Sequence, residues 1–428
     1  MKKTEETIIP EDLKKKGTLA QALGPGILMA AAAVGGSHLV ASTKAGAQFG
    51  WSLLLVLLCV NLFKYPFFMY GARYTAATGE TILHGYRRLG KGYLGAFFVL
   101  NLVNAVFNIA GVSLISGSLA LSVGLPATWD PKGLSFAISS GCAAILIFGH
   151  YQLLDKVTKV IMLLLTMCTL FGVLMALSKG GHAVEGFEGP SPWTLASVGF
   201  LVQFMGWMPA PIDVGAWPSL WMMSRERETG YRSSMKHAMI DFHIGYIGTT
   251  VLAVFFLSLG ALVMYGTGET FSPSGGAFAE EFIQLYAKSI GEWARPVVAV
   301  AAFTTMFSTT LTCVDGYPRA LAVSMALFRN REDHWQRYHV GWILFSVIGA
   351  AVIVFRFVAN LGDMLFLAMV VSFVTSPIFG WINFKAMRAE WVPHIYRPGP
   401  KLKVLSWAGL FFLSSCSLGF VYWWLILK

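Results

Sequence analysis

Charged residues are scarce in this chain: Asp, Glu, Lys and Arg make up 13% of its 428 residues, about half the share of an ordinary soluble domain. Hydrophobic residues make up 56%, so water is not the main solvent of the folded protein. Cysteine is nearly absent as chemistry. Cys59, Cys142, Cys168, Cys313 and Cys416 stand singly inside apolar runs, with no CxxC pair or ligand-like spacing, so they read as small core hydrophobes and not as disulfides or metal thiolates. No HExxH, GxSxG or Walker motif occurs in a suitable context, which leaves an enzyme or ATPase without residues to carry it. No cofactor is called for. Met1 to Lys16 is charged and lacks an apolar stretch with a small-residue cleavage site, so it is expected to be a cytoplasmic tail and not a signal peptide.

What the chain has is apolar runs of the length that crosses about 30 Å of hydrocarbon. They fall at 22–47, 50–73, 92–122, 134–150, 153–178, 195–222, 237–265, 290–315, 338–357, 361–385 and 404–426. The runs are continuous, without the alternation of a barrel strand, so the expected fold is an all-α integral membrane protein of about eleven spans. The formal charge of +10 then has a topological reading. Most Lys and Arg residues lie in the N-terminal tail and in every second loop, from Arg73, Arg87 and Arg88 to Arg397, Lys401 and Lys403. The positive-inside rule places the N-terminus in the cytoplasm of a plasma or inner membrane and the C-terminus outside. The lipid bilayer is the expected partner, and nucleic acid is not needed to explain the charge.

Two spans carry clusters that should interrupt a helix near the bilayer midplane. Span one contains Ala33-Val34-Gly35-Gly36-Ser37-His38; span six contains Gly206-Trp207-Met208-Pro209-Ala210-Pro211-Ile212-Asp213-Val214-Gly215. Paired glycines are poor helix interior, and two prolines remove two backbone donors. Irregular backbone at membrane depth survives only where protein or a watery cavity satisfies it. The breaks open spans one and six, corresponding positions if 22–178 and 195–385 form two inverted repeats after a tail at 1–21 and before a lone eleventh span at 404–428. Unwound carbonyls and half-helix C-termini are negative, which favours a cation between them.

The residues also resemble the Nramp family of divalent metal transporters, which share the leucine-transporter fold. Gly24-Pro25-Gly26, Gly46-Ala47-Gln48-Phe49-Gly50, Gly71-Ala72-Arg73-Tyr74 with Thr78-Gly79, Tyr151-Gln152-Leu153-Leu154-Asp155-Lys156 and Met208-Pro209 resemble family signatures in order and spacing. The departures are informative. The family's Asp-Pro-Gly-Asn of span one aligns with Gly35-Gly36-Ser37-His38, without its metal-binding carboxylate. Ala210 stands at the His of the family's Met-Pro-His, and Gly215 at a second family His. Asn101, Asn108 and Gly111 align with acidic positions that resemble the family's proton route. This combination resembles the Nramp-related magnesium transporters, a branch with a replaced metal site, and it implies transport without proton coupling. Mg²⁺ dehydrates reluctantly and is held through retained waters by one or two carboxylates, so a pocket of small residues and carbonyls suits it.

The candidate metal site is Asp213, His38, Ser37, Gly35, Ala32, Met205, Met208 and Ala210. Asp213 is the only acid inside either break, and intramembrane carboxylates are functional by default; its plainer role is to cap the second half of span six. His38 offers an imidazole to a metal or a hydrogen bond to bound water, or is a satisfied structural histidine. Ser37 and the carbonyls of Ala32, Gly35 and Met205 are oxygen donors for a hard cation, though Ser37 could equally cap the broken helix. Met208 aligns with the family's thioether ligand, useful for Mn²⁺ but wasted on Mg²⁺. Lys64, Asp241, Asp315 and Arg319 read as structural charges, with Lys64 snorkelling to the cytoplasmic surface and Asp315 pairing with Arg319. The expected function is monomeric alternating-access import of Mg²⁺, with Mn²⁺ also carried. A proton-coupled Mn²⁺/Fe²⁺ carrier, a sodium-coupled symporter of a small organic solute and a non-transporting cation sensor stay open.

Overall fold

The computed structural model describes residues 18–126, 128–148, 151–179, 187–269, 271–272 and 274–427, with only the backbone of 151–162, 165 and 333. The expected cytoplasmic tail up to residue 17 and the C-terminal Lys428 lie outside the described residues. Every regular element among the described residues is helical. Among the described residues, nine helical stretches are long and apolar enough to cross a membrane. The first, Pro25–Thr78, holds both of the first two expected spans. It turns at Gly50, whose φ of 57° lies in the left-handed region that glycine adopts without strain. Thr43–Phe49 ends there, and Leu54–Thr78 begins after a 3₁₀ turn at Gly50–Leu53. The expected fifth span is the helix Tyr151–Lys179.

Span eight is longer than its apolar run implies. The helix continues from Arg295 to Phe328 instead of stopping at 315, because Asp315 and Arg319 pair across one turn, with Nη2–Oδ1 at 2.6 Å. Neither charge then meets lipid alone. Span six is divided, as its prolines require, into Val198–Trp207 and Trp217–Thr229.

The central layer is made by the helices that bear the two breaks and their neighbours. Arg295–Phe328 packs against Lys91–Ala120, Trp335–Arg356 and Pro25–Ala33, while Met235–Val263 lies along Pro25–Ala33, Thr43–Phe49 and Leu54–Thr78. Leu361–Arg388 closes the other side against Val198–Trp207 and Lys91–Ala120. Large apolar side chains such as Leu55, Phe148, Ile348 and Phe411 are exposed around the outside. In a bilayer that belt faces acyl chains, which are as apolar as leucine. The interior is different: it holds Lys64, Asp213, Asp241, Asp315 and the asparagines of span three, all buried.

Candidate membrane-buried ion site

The first break follows from its glycines. Helix Pro25–Ala33 stops at Val34 and Gly35, and the chain resumes as a π-helical turn over Gly36–Ser42. At Gly36 an added Cβ would lie 2.3 Å from the Trp207 ring, so only glycine lets the two broken segments touch. The Ser37 hydroxyl donates to the Ala33 carbonyl at 2.5 Å, tying off one of the carbonyls that a helix end leaves open. From span eight, the Thr309 hydroxyl lies 2.9 Å from the Ala31 carbonyl and 3.0 Å from that of Val34. It fastens the unwound turn to a rigid helix.

The second break follows from Pro209 and Pro211. Residues Met208–Pro211 are non-helical, the Met208–Pro209 peptide is cis, and a 3₁₀ turn over Ile212–Ala216 leads into the second half-helix. In a continuous helix the residue 209 amide would donate to the Met205 carbonyl; proline has no N–H to give. Lys64 supplies the missing donor. Its ammonium, on the helix Leu54–Thr78, reaches the carbonyl oxygens of Met205 at 2.7 Å, Gly206 at 3.0 Å and Ala210 at 3.1 Å. The side chain is fully buried. The expectation that Lys64 snorkels to the cytoplasmic surface is therefore wrong: three open carbonyls at a broken helix end hold the ammonium more favourably than a long reach to water.

This changes the reading of two candidate ligands. The Met205 and Ala210 carbonyls already face a positive charge, so a metal ion approaching the same oxygens meets repulsion as well as attraction. Asp213 is better placed. It is 1% exposed; one carboxylate oxygen accepts from Asn104 Nδ2 at 3.2 Å, and the Tyr317 hydroxyl and the amides of Asp213 and Val214 lie near the carboxylate. Among the described residues the side-chain carbonyls of Asn104 and Asn101 are buried without a hydrogen-bond partner. Tyr317 stands close enough to couple to the carboxylate, and Asn101 Nδ2 donates to the Tyr317 carbonyl at 3.4 Å. Buried oxygens without donors are costly and are ready ligands for a hard cation or its water.

A cavity of about 20 Å³, room for about one water, reaches this cluster at Tyr317, while Asp213, Asn101 and Asn104 are not among its walls. Ala32, Ser37, Ala210, Asn108, Thr309 and Tyr317 are among its walls. Of the eight candidate residues, Ala32, Ser37 and Ala210 thus meet at one cavity, drawn from both breaks. The others do not join them. Met208 is fully buried but, among the described residues, is not part of the cavity wall. The Gly35 carbonyl accepts from the amides of His38 and Leu39 at 3.0 and 2.9 Å. His38 points to span seven: Nε2 donates to the Thr249 carbonyl at 2.9 Å while Nδ1 lies 2.6 Å from Ser37 Oγ. Nε2 is satisfied by Thr249, while Nδ1 and the Ala33 carbonyl compete for the one Ser37 hydroxyl proton. Nor do three or more His, Cys, Asp or Glu side chains converge among the described residues. Any metal held here is held by oxygens that are mostly neutral.

Lys64, Asn104, Thr309 and Tyr317 are the residues sequence reasoning missed as site members. Asn104 had a signal: with Asn101 and Asn108 it repeats at helical spacing, a polar stripe on one face of an apolar span. Thr309 had none, being one of five Ser and Thr residues between 305 and 312. On the far side of Tyr317 lies an aromatic plug. Its ring stacks edge-on to Trp217 at 4.7 Å, Trp217 meets Trp221 at 5.6 Å, and the Trp221 indole donates to Asp315 at 2.8 Å. Beyond the Asp315–Arg319 pair is a cavity of about 450 Å³, lined by Arg87, Arg88, Arg227 and Arg319 together with Glu80 and Glu332.

Residues 26–423 match the family described as natural resistance-associated macrophage protein-like, or Nramp. An uncharacterized protein of Pasteurella multocida (strain Pm70) is 43% identical over 404 residues, 94% of this chain and 92% of that one. The divalent metal cation transporter MntH of Latilactobacillus sakei (strain 23K) is 24% identical over 320 residues, 71% of this chain and 68% of that one. Among solved structures, a crystal structure of the Eremococcus coleocola manganese transporter aligns with a TM-score of 0.62 at 14% identity, covering 94% of this chain and 85% of that one. At that identity the likeness speaks for the fold, a leucine-transporter-type helical bundle. The match over nearly the whole length does more: the chain belongs to the Nramp family.

Proposed function

We propose that the protein is a secondary transporter of divalent cations that imports Mg²⁺, and with it Mn²⁺, as a largely hydrated ion by alternating access and without proton coupling. Family membership, and the names of the Latilactobacillus and Eremococcus relatives, support a divalent metal as cargo. The observation that carries the magnesium reading is the single buried carboxylate of Asp213, with the Asn104 amide at 3.2 Å and the Tyr317 hydroxyl close by. One carboxylate among mostly neutral oxygens suits a hard ion that keeps part of its hydration shell. A transition metal prefers imidazole or sulfur, and here the His38 ring is turned to the Thr249 carbonyl on span seven.

The same residues support the absence of proton coupling. Asn101 and Asn108, at positions where the family resemblance implies acids, are buried amides: Asn108 donates to the Asn104 carbonyl at 2.9 Å and to Ser372 at 3.1 Å. An amide cannot carry a proton through. In this proposal the branch is that of the Nramp-related magnesium transporters. Residues 22–178 and 195–385 are its two repeats, 404–428 is an added span, the N-terminus is cytoplasmic, the C-terminus is outside, and the unit is a monomer. In this proposal the Trp217–Tyr317 plug separates the ion from the arginine-lined cavity, and that cavity is the cytoplasmic one, a reading the basic loops support.

Proteoliposomes loaded with a Mg²⁺ indicator and a pH indicator test it. Uptake without internal acidification is expected, reduced by Asp213→Ala and little changed by His38→Ala. Acidification that accompanies Mn²⁺ uptake, with no competition from excess Mg²⁺, would select a proton-coupled manganese carrier instead.

A further inference from the structure

The Lys64 ammonium and its three carbonyls form a unit that does not depend on which ion is carried. A protonated lysine has three N–H donors and a neutral one has two. Three carbonyl oxygens within 3.1 Å of Nζ match the charged form, donor for acceptor. The acceptors come from one place, the C-terminal end of the first half of span six and the proline-interrupted turn behind it. That is the negative end of a helix, where carbonyls lack partners, and Pro209 leaves Met205 without a backbone donor. The rest of the lysine stem is buried, with no part of the residue exposed. A cradle of carbonyls at a helix C-terminus is the coordination chemistry of a dissolved monovalent cation.

The geometry points to Lys64 as a resident, covalently tethered monovalent cation: it fills a carbonyl site at the second break that would otherwise bind dissolved ammonium or an alkali ion. The tethered charge holds the two halves of span six in register with span two, and it makes this position independent of the Na⁺ or K⁺ of the medium. Removing the amine while leaving space opens the site to solution ions. Removing it while filling the space does not.

Thermal unfolding of the purified full-length protein in detergent reads this without any transport assay. Wild type should melt at one temperature in choline, ammonium and sodium chloride of equal ionic strength. Lys64→Ala should melt several degrees lower in choline chloride and recover, with saturation, as ammonium replaces choline. Lys64→Met, whose thioether fills the stem but donates nothing, should be lowered in every salt without recovery. Lys64→Gln, which keeps two N–H donors but no charge, is expected between wild type and Lys64→Met. If Lys64→Ala is too unstable to purify in choline, yield in ammonium chloride against yield in choline chloride gives the same reading. The proposal is overturned if Lys64→Ala responds to ammonium no more than wild type does, or if Lys64→Gln or Lys64→Met is as stable as wild type. Failure of Mg²⁺ uptake by the wild type would count against the proposed cargo and leave the cation response of these variants as the separate test of the tether.

Discussion

Asp241, on span seven, accepts hydrogen bonds from the backbone amides of Gly24 at 3.0 Å and Gly26 at 2.6 Å, and so caps the first half of span one from outside that helix. Pro25 between them has no amide to offer, so one carboxylate accepts from both of its neighbours. The first half-helix is only nine residues long, too short to be stable alone, and its orientation depends on what holds each end. Asp241→Ala leaves two amides without an acceptor near a helix N-terminus where the dipole favours a negative charge. The expected cost is about 1.5–3 kcal/mol, the range for hydrogen bonds to a charged group, with Asp241→Asn losing less. Thermal unfolding of the purified protein measures it, and equal melting temperatures for wild type and Asp241→Ala would remove the cap from the account.

The Asp315–Arg319 pair behaves differently when cut than when replaced. Asp315 also accepts from the Trp221 indole at 2.8 Å, and Arg319 donates to Ser224 at 3.0 Å, so the pair joins span eight to the second half of span six. Removing one partner leaves a buried charge, which costs about 3–5 kcal/mol. Replacing both by apolar residues of similar volume leaves none. Asp315→Leu should therefore be more destabilising than the double variant Asp315→Leu/Arg319→Met. A double-mutant cycle read by melting checks it; strictly additive losses would show that the two charges are not coupled.

The fold was largely legible because the bilayer imposes a length and a polarity on each helix, and the two breaks were legible because glycine pairs and prolines cannot stay helical. The carboxylate at the second break was legible too, since Asp213 is the one acid there. What was not legible is which carbonyl faces which partner. Lys64 is visible as a charge inside span two, but a sequence cannot say whether a lysine stem bends to the surface or across to another helix, and the surface is the usual answer. His38 sits in the break like a ligand, yet its ring turns to Thr249 because the π-turn rotates it away from the cavity. The end of span eight was misread for a related reason: charges that pair within one helix do not end it.

Gly36 offers a test of whether the touching breaks form the transport path. Its missing Cβ is what allows the Trp207 ring to lie against the first break, with the Ile115 side chain 2.9 Å from the same point. Gly36→Ala must push Trp207 aside or close the 20 Å³ cavity that both residues border. Cation uptake in proteoliposomes should fall by at least about tenfold, equivalent to about 1.4 kcal/mol in the limiting step, in protein that still purifies as a single species. Adding Trp207→Ala to make room should restore part of it. Undiminished uptake by Gly36→Ala would place the path elsewhere.

Asn104 separates a site for a hydrated ion from one that strips it. Its amide donates to the Asp213 carboxylate at 3.2 Å and its carbonyl oxygen is unpartnered, so it steadies the charge while leaving oxygens open. Asn104→Asp exchanges that donor for a second carboxylate. The two then repel one another until a divalent cation lies between them, and the cation gains a ligand it must later leave. Binding should tighten by about tenfold, or 1.4 kcal/mol, and turnover should slow, so that uptake saturates at lower Mg²⁺ but with a lower maximal rate. Asn104→Leu removes both donor and acceptor and should weaken binding without that gain. The concentration dependence of Mg²⁺ uptake for the three proteins decides the point: if half-saturation is the same in all of them, the ion does not pass within reach of Asn104, and Asp213 beside it is a structural acid.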